Sequence, residues 1–375
     1  MIGNALLLCC VRGVDNYVLQ FICYHHSRIF SMISAHELIS SDGRPRRLRC
    51  CGLLLSELAR QNGMTFDGKD GEVDRFTTLD GLASAGEGIA ITYLTSRHFA
   101  GLLRSHTNIA VVTRSELRDC VPEGSTALIV DGNPHDLFYT AFAAAVANGK
   151  FERLQPFVSR SARVNERAVI GDNVHIEAGA VIGACAVILP NTYIGPEVGI
   201  KSNATVGGDG FENAVIHGRR AIVPHAGGAW LSEGVQVGSS TCIDRGLFGD
   251  FSFVGAHTTI DNLVHFAHSA QTGRQCSLVA CSEISGATVL GNGVWLGPNA
   301  SVNQGLSIGD YCYVGTGAVV TRSLPPHSLA YGSPAKVAAL VCVCRSKLQF
   351  DPDRATCGAC GKRYRLDSAG QVHHA

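Results

Sequence analysis

The sequence has little charge, few aromatic residues and no long uninterrupted apolar run. Only 17% of its 375 residues are charged and the formal net charge is zero, which gives no support for a nucleic-acid partner held by charge. No run of 18 apolar residues occurs, so no membrane span is expected. The apolar stretch Ala5–Val11 has no basic residue before it and no clear cleavage site, and a cytoplasmic location is therefore predicted.

Glycine and small apolar residues are abundant. The chain contains 43 glycines and is 46% hydrophobic, whereas glycine usually makes up about 7% of a protein. Low charge combined with many glycines suits a fold of short strands joined by tight corners. The length allows two or three domains.

A six-residue periodicity dominates the second half of the chain. Stepping by six from Val158 to Val206 meets only Val or Ile, and stepping by six from Val254 to Val320 meets an apolar residue at every position except Thr272. A shorter run in the same step joins Leu231, Val237 and Ile243. Neither a helix of period 3.6 nor a plain strand of period 2 keeps this step.

A parallel β-solenoid does keep it. Each hexapeptide forms one short flat face and a corner, three faces complete a coil, and the apolar residue points inward. Coils should stack at about 4.8 Å, the spacing between neighbouring strands. Glycine often follows the apolar residue, as in Ile170-Gly171 and Ile308-Gly309, and this position is predicted to supply the unusual backbone angles of the corners.

The repeat is interrupted at residues 207–230 and 247–253, and a loop that leaves a solenoid is a common place for a binding site. Four cysteines lie inside the repeat and are interpreted as small core residues: Cys185, Cys242, Cys276 and Cys312. The total of 15 cysteines is odd, which argues against a disulfide framework and favours a reducing compartment.

Three further segments flank the solenoid of residues 151–335. Residues 1–52 have no clean period and are predicted to be a poorly defined extension. Residues 53–150 are predicted to form a small α/β domain. Helices are expected there at Leu53–Asn62, Ser96–Ser105 and Leu137–Val146, and strands at Gly88–Leu94, Ile109–Thr113 and Ala127–Val130.

Residues 336–375 form a cysteine-rich tail. Cys342-x-Cys344 is followed after twelve residues by Cys357-x-x-Cys360, a separation that fits a tetrahedral Zn²⁺ site of the ribbon type. Such an ion can stabilise a segment too small to build its own core. Redox chemistry at Cys357-x-x-Cys360 is the alternative.

Several segments together resemble one enzyme family. They read VGAHTTIDNLVHFAHSAQTG at 254–273, STCIDRG at 240–246, VGGDGF at 206–211, LASAGEGIAITYL at 82–94 and VDGNP at 130–134. In these the chain is similar to the UDP-3-O-(3-hydroxyacyl)glucosamine N-acyltransferases of lipid A biosynthesis, over roughly residues 53–335. The resemblance implies a mainly β protein. It would combine an N-terminal nucleotide-binding α/β domain with a left-handed parallel β-helix and assemble as a homotrimer.

The resemblance also implies roles for individual residues. His268 would be the general base, with Asp261 and Asn262 completing the same motif, and no cofactor is expected for catalysis. An imidazole suits this chemistry because an amine must lose a proton as it attacks a thioester, and imidazole titrates near neutral pH. The spacing adds a separate expectation: Asp261 lies one hexapeptide plus one residue before His268, so it is expected near His268 on the adjacent face, where it would influence the charge of the ring.

Six further residues are assigned to substrate binding by the same resemblance. Tyr93 and Phe99 would stack on uracil, with Ser96 where the family has an asparagine that reads the base. Asp209, Phe211 and His265 would complete the site. The acceptor would be a UDP-linked amino sugar and the donor acyl carrier protein.

Two departures leave the donor open. Gly305 stands where the family has a second histidine, and GSPAKV at 332–337 resembles the ending of sugar-nucleotide acetyltransferases. An acetyl-CoA-dependent N- or O-acetyltransferase is therefore the alternative function. A non-catalytic scaffold and a metalloenzyme like the γ-carbonic anhydrases are the remaining alternatives. The metalloenzyme would use His257, His265 and His268 as ligands.

Overall fold

The computed structural model describes residues 31–41, 43–84, 88–368 and 370–374. The first thirty residues of the predicted extension lie outside the described residues, as does part of the segment 82–94. Within the described parts of the chain, no helix is long and apolar enough to cross a membrane.

A three-sided parallel β-helix forms the centre of the molecule, which confirms the predicted mainly β, left-handed β-helical fold class. Equivalent strands in successive coils are 18 residues apart where no insertion intervenes, as in the pairing of Val169 with Val187. Three hexapeptides therefore complete one coil. Successive coils bond through parallel strand ladders, as the six-residue period requires.

Each side of the prism is one sheet. Face 1 contains β8 (Phe157–Val158), β11 (His175–Ile176), β14 (Thr192–Ile194), β19 (Gly228–Leu231), β22 (Phe251–Val254), β25 (Gln271–Thr272), β28 (Val289–Leu290) and β31 (Ser307–Ile308). Face 2 contains β9 (Arg163–Val164), β12 (Val181–Ile182), β15 (Gly199–Ile200), β20 (Gln236–Val237), β23 (Thr259–Ile260), β26 (Ser277–Leu278), β29 (Trp295–Leu296), β32 (Tyr313–Val314), β34 (Ser328–Tyr331) and β35 (Lys336–Leu340). Face 3 contains β10 (Val169–Ile170), β13 (Val187–Ile188), β16 (Thr205–Gly208), β21 (Cys242–Asp244), β24 (His265–Phe266), β27 (Glu283–Ile284), β30 (Ser301–Val302) and β33 (Val319–Val320).

The residues at the six-residue step form the core of the prism. Ile188 and Leu296 are fully buried in one continuous apolar cluster. Val158 and Val164 are exposed because they belong to the first coil, which has no coil beneath it. Thr272 is buried, and its hydroxyl accepts a hydrogen bond from the Gly255 N–H at 3.0 Å, so its polar atom is satisfied inside the core.

The corners use a different residue from the one predicted. Positive φ occurs three residues after the inward residue, for example at Leu263 (φ 59°) and Ala287 (φ 56°). The glycine directly after the inward residue has another role: a Cβ at Gly183 would lie 3.0 Å from the Ile200 carbonyl oxygen of the next coil. The prediction for this position was therefore wrong. Glycine is needed there because the neighbouring backbone approaches closely.

The cysteines of the repeat divide into two groups. Cys276 and Cys312 are buried in the prism, as expected for small core residues. Cys185 and Cys242 are exposed, so that interpretation was wrong for them. Cys242 lies directly before the inward Ile243 on the same strand, and alternate residues of a strand point to opposite faces.

The N-terminal α/β domain is a five-stranded sheet covered on both sides. Its strand order is β2 (Thr65–Asp67), β6 (Thr126–Ile129), β5 (Ile109–Thr113), β4 (Ile89–Tyr93) and β3 (Val73–Phe76), with only β2 antiparallel. The α-helices of the domain are α2 (Leu55–Gln61) and α3 (Pro134–Ala147), and 3₁₀ helices span Asp80–Ser84, Arg97–Leu103 and Ser115–Cys120. The segment predicted as a helix from Ser96 to Ser105 is thus a 3₁₀ helix, and β2 and β3 were not predicted.

Residues 31–41 and 43–52, predicted as part of a poorly defined extension, are packed against the rest of the chain. The segment contains β1 (Met32–Ile33), which pairs in parallel with β7 (Arg153–Leu154), and α1 (Ala35–Leu38). Leu38 and Leu48 are fully buried. Apolar burial of this kind provides the main free energy for ordering a segment.

The two loops that interrupt the repeat join the N-terminal domain to the prism. Residues 209–227 carry the hairpin of β17 (Asn213–Ile216) and β18 (Arg219–Ile222), and residues 245–250 form a shorter loop. Phe248 of the shorter loop packs its ring 4.9 Å from that of Phe142 in α3. Side chains from both loops share one apolar cluster with the domain, so the domain is held over one edge of the prism.

The tail adds a small antiparallel sheet after the last coil. It contains β36 (Arg354–Thr356), β37 (Arg363–Leu366) and β38 (Val372–His374). Arg345 stacks 4.1 Å from the Trp295 ring centre on face 2, and the buried Tyr364 ring contacts His327. These contacts place the cysteine segment against the prism.

Candidate active site

His268 lies at the edge of the prism where face 3 turns into face 1. Both insertions leave the prism at this same edge, because β16 precedes the first and β21 precedes the second. The coil of β24 and β25, which carries His268, comes next. The two interruptions and the candidate base are therefore stacked in three consecutive coils, a proximity that the sequence alone does not display.

Two glycines border the His268 side chain. A Cβ at Gly210 would lie 2.8 Å from the Cβ of His268, and a Cβ at Gly286 would lie 2.6 Å from both Cε1 and Nε2 of the ring. His268 is 7% exposed, and its Nδ1 is buried with no hydrogen-bond partner among the described residues. The ring is thus held in a narrow space with one nitrogen unsatisfied.

Glu212 is the carboxylate beside this ring. Its Oε2 lies 3.8 Å from Nε2 of His268, which is longer than a hydrogen bond. The Tyr139 hydroxyl of α3 lies 3.5 Å from the other carboxylate oxygen. Glu212 therefore connects the N-terminal domain to the His268 edge.

A second histidine, His225, belongs to the same insertion and lies three residues after the end of β18. Its ring centre is 5.4 Å from that of His268, in an edge-to-face arrangement. Its Nδ1 lies 3.1 Å from the Val223 carbonyl oxygen. Burial, followed by the positive charge that His268 can carry, lowers the pKa of His225 below its ordinary value.

Glu212 and His225 were not identified from the sequence. Both reach His268 through the insertion at 207–230, whose conformation no six-residue pattern specifies. Their position inside that interruption was the one available signal, since polar residues in a loop that leaves a solenoid are candidates for a site.

Asp261 and Asn262 lie at a different edge. They follow β23 on face 2, whereas His268 follows β24 on face 3. Asp261 accepts a hydrogen bond from the Asn262 N–H at 2.7 Å, and the Asn262 side chain accepts one from the Ser239 N–H at 2.7 Å. The expectation that Asp261 lies beside His268 is therefore not met within one chain, because one hexapeptide separates neighbouring edges.

His265 and Asp209 each form an ion pair near the insertion. His265 Nε2 lies 3.0 Å from a carboxylate oxygen of Asp244, and this hydrogen bond raises the pKa of His265. Asp209 accepts a hydrogen bond from Nε of Arg245 at 2.5 Å. Phe211 makes no comparable contact with the residues that the structure describes and is 73% exposed, so its ring is available to a ligand.

The predicted uracil-binding residues lie at the carboxyl end of β4 and just after it. Tyr93 is packed among His135, Phe138 and Tyr139, with ring centres 5.0–6.2 Å away. Burial, with a smaller contribution from Glu212, raises the pKa of Tyr93. Phe99 is exposed on the 3₁₀ helix, and the Ser96 hydroxyl accepts a hydrogen bond from the His98 N–H at 3.3 Å. The described rings in contact with Tyr93 do not include that of Phe99, so the two predicted uracil-binding rings do not contact each other.

The four tail cysteines form a compact cluster. Their sulfur atoms, from Cys342, Cys344, Cys357 and Cys360, all lie within 4.8 Å of one another. Four thiolates on one Zn²⁺ at 2.3 Å would be about 3.8 Å apart. The Cys342–Cys360 and Cys344–Cys357 sulfur pairs are 3.4 and 3.5 Å apart, so the donor set fits a tetrahedral ion. Within the described chain, His257, His265 and His268 form no such group.

Two models of repeat families match the prism. They describe the bacterial transferase hexapeptide (six repeats), at residues 287–322, and the hexapeptide repeat of succinyl-transferase, at residues 168–184. Both matches fall on uninterrupted coils, where the six-residue step is most regular.

Solved structures with a similar chain course include two UDP-N-acetylglucosamine acyltransferases. The one from Campylobacter jejuni is 22% identical, with a TM-score of 0.38, over 49% of this chain and 75% of the other. The one from Francisella novicida is 20% identical, with a TM-score of 0.39, over 49% and 70%.

Two curated relatives are named UDP-3-O-acylglucosamine N-acyltransferase. The UDP-3-O-acylglucosamine N-acyltransferase of Caulobacter sp. (strain K31) is 37% identical over 45% of this chain and 42% of its own length. The enzyme of the same name from Campylobacter lari is 30% identical over 75% of this chain and 92% of its own length. The second alignment covers a larger share of this chain than residues 151–375 contain, so it extends beyond the prism and the tail. The chain therefore belongs to the UDP-3-O-acylglucosamine N-acyltransferase family and is an acyltransferase.

Proposed function

We propose that the protein transfers an acyl group from acyl carrier protein to the amine of a UDP-linked amino sugar, with His268 as general base. The observation that carries this proposal is the buried imidazole of His268 at the edge where both insertions leave the prism. The names of the curated relatives supply the substrate class.

The chemistry requires one base and a site for a developing negative charge. The amine nitrogen attacks the thioester carbonyl carbon, and His268 takes the proton that the nitrogen loses. The carbon–sulfur bond then breaks, and the proton passes to the departing thiolate. A backbone N–H at a coil corner is a suitable donor to the oxyanion.

Access to His268 passes the insertion loop. Nε2 is the ring nitrogen beside Glu212, whose side chain is 24% exposed. A substrate amine would approach Nε2 beside this carboxylate or displace it. Loop movement of this kind accompanies substrate binding in many enzymes.

The nucleotide would bind in the N-terminal domain. Tyr93 offers a ring face bordered by aromatic neighbours, and Phe99 offers an exposed ring on the following 3₁₀ helix. Ser96 would lie between them in place of an amide side chain. Asp209, Phe211 and His265 would contact the sugar or its acyl chain.

The assembly would be a homotrimer, with the donor in a groove between neighbouring prisms. Asp261 and Asn262 occupy another edge of each prism, so in a trimer they would act at the site of a neighbouring subunit. Acyl transfer itself would need no cofactor, and a Zn²⁺ ion at the tail cysteines would be structural.

The test of the base is His268→Ala, assayed with a hydroxyacyl carrier protein and a UDP-linked amino sugar. Removal of a general base lowers turnover about 10²–10⁴-fold, and the KM values should change much less. Turnover within a factor of two of the unmodified protein would refute the role of His268.

The donor is decided by a second comparison. Hydroxyacyl carrier protein and acetyl-CoA are offered to the same preparation, and the product mass is measured. We expect the longer acyl chain on the amine. Exclusive use of acetyl-CoA would replace the proposal with the acetyltransferase alternative, which is supported by Gly305 in place of the family's second histidine and by the segment GSPAKV at 332–337.

A further inference from the structure

His225 is a buried imidazole in the candidate site to which no role has been given. It is 2% exposed, and its ring lies edge-to-face against that of His268 at 5.4 Å. A histidine buried this completely is normally held by hydrogen bonds at both ring nitrogens. His225 is held at one only.

The bonding of His225 fixes its tautomer. Nδ1 faces the Val223 carbonyl oxygen at 3.1 Å, and a carbonyl can only accept. In the neutral ring Nδ1 therefore carries the hydrogen, and Nε2 has a free electron pair. Nε2 is buried with no hydrogen-bond partner among the described residues.

The space between the two rings is closed by Gly210. A Cβ added there would lie 3.0 Å from Nε2 of His225, 3.0 Å from Cδ2 of His268 and 2.8 Å from its Cβ. The backbone of the insertion at Gly210 thus lies so close to the His225 and His268 side chains that no Cβ fits between them. Any larger residue at position 210 would push the rings apart.

Three charged or titratable side chains face His225 in addition to this packing. They are His268, Asp209 and Arg245. Asp209 and Arg245 are paired with each other, and at His225 the pKa-raising effect of the Asp209 carboxylate exceeds the pKa-lowering effect of Arg245. Glu212 faces His268 from the other side.

We propose that His225 is a positioning residue: its ring, anchored to Val223, fixes the plane of the His268 ring so that Nε2 points toward the substrate amine. This inference rests on the proposed role of His268. It adds a residue that acts through His268 rather than on the substrate. Misplacement of a reacting group by about 1 Å can lower a rate about 10²-fold, so the anchor has a measurable effect.

The kinetic test compares His225→Ala with His225→Phe. The alanine variant removes the ring, and we expect its kcat to fall at least tenfold while KM for the UDP-linked sugar stays within twofold. The phenylalanine variant restores a flat ring of similar size, and we expect it to recover a large part of kcat. A kcat for His225→Ala within twofold of the unmodified protein would overturn the proposal.

The matched control is His327→Ala. His327 is also buried, at 3% exposed, and its Nδ1 also lies against a backbone carbonyl oxygen, that of Val341 at 2.8 Å. It lies against the tail and not beside His268. We expect His327→Ala to lower thermal stability without lowering kcat. An equal fall of kcat in both alanine variants would mean that His225 is merely structural.

A third measurement does not depend on activity. Histidine resonances of the full-length protein are titrated by NMR, before and after His268→Gln. The charge that His268 can carry lowers the pKa of His225, so we expect His225 to titrate at higher pH in the variant. An unchanged His225 titration would overturn the contact even if acyl transfer proved to be absent, which separates this inference from the proposed function.

Discussion

The imidazole of His268 is confined by glycine backbone rather than by large side chains. Gly286 on the next coil contributes no Cβ, and one placed there would meet the ring at 2.6 Å. The absence of a side chain at this position is therefore a condition for the ring to occupy its place.

Replacing Gly286 by alanine should displace the imidazole. The backbone at this position is not in the left-handed region, so alanine strains only the contact with His268. We expect at least a tenfold loss of kcat with a small change in melting temperature. Gly358→Ala is the control, because a Cβ there meets nothing within 4 Å. Full activity in Gly286→Ala would contradict the described geometry.

The His265–Asp244 pair predicts a pH-dependent contribution to stability. The pKa of His265 is raised above its ordinary value, first by its hydrogen bond to Asp244. A raised folded-state pKa stabilises the fold below the unfolded value of about 6.5, and this contribution disappears as pH rises through the folded value. Asp244→Asn should therefore lower stability at pH 5–6 and have little effect at pH 9.

The size of this effect is small because the His265 side chain is 47% exposed. Solvent-exposed ion pairs contribute less than about 1 kcal/mol. Melting temperatures of both proteins at the two pH values provide the measurement. An equal loss at pH 5.5 and pH 9 would show that the pair contributes through packing alone.

The residues around His268 show where sequence reasoning stops. His268 could be proposed as the base because it lies in a segment, residues 254–273, that resembles the family. Glu212 and His225 could not be identified, because a 19-residue insertion brings them to the ring and no periodicity describes its path. Asp261 was expected beside His268 on sequence proximity, yet seven residues along a prism lead to the next edge.

In most two-residue strands of the prism the second residue points inward and is buried, and the first points outward and is more exposed. In β28, Leu290 is fully buried whereas its neighbour Val289 is 36% exposed. The six-residue step predicted which of the two points inward. It also predicted the parallel stacking, since equivalent residues must meet in successive coils.

Leu290→Ala should cost about 2–5 kcal/mol of unfolding free energy, because it removes buried methyl groups and leaves a cavity. Val289→Ala on the same strand is the matched control and should change stability far less. Denaturant unfolding of both variants supplies the comparison. Equal losses would mean that the buried leucine is not tightly packed.

The residue with positive φ at each corner was predicted wrongly from the sequence. Glycine after the inward residue suggested unusual backbone angles, but positive φ falls two residues later and is often taken by Asn, as at Asn173 and Asn299. Asparagine tolerates this region better than most residues. The glycine is needed instead because the backbone of the adjacent coil leaves no room for a Cβ. This close approach is seen only in the three-dimensional structure.

The N-terminal domain, the prism and the tail are joined by contacts that sequence patterns do not encode. Phe248 connects the domain to the prism through Phe138 and Phe142. Each ring is apolar and could have belonged to any core. Sequence patterns therefore predicted the N-terminal domain, the prism and the tail as separate parts. How these parts pack against one another is seen only in the three-dimensional structure.

The cysteine cluster predicts a metal content for the full-length protein. We expect about one Zn²⁺ per chain by elemental analysis, and almost none after Cys357→Ser together with Cys360→Ser, because two of the four thiolates are then missing. The prism should remain folded in the double variant, with its far-ultraviolet spectrum little changed. Zinc that persists at one per chain would place the ion elsewhere.

The proposed homotrimer has a direct measurement. Light scattering coupled to gel filtration should give three times the chain mass of 39.6 kDa. In that assembly Asp261→Ala should lower kcat although the residue lies away from His268 of its own chain. A monomer with full activity would refute the shared site.

An 18-residue coil can be added or removed without rotating one edge of the prism against another. A coil inserted between Gly305 and the tail would move the cysteine sheet about 4.8 Å further from the His268 imidazole and leave every neighbour of that imidazole in place. The number of coils between His268 and the tail thus sets the distance between the His268 imidazole and the cysteine sheet. Natural or engineered variants could change this distance in fixed steps.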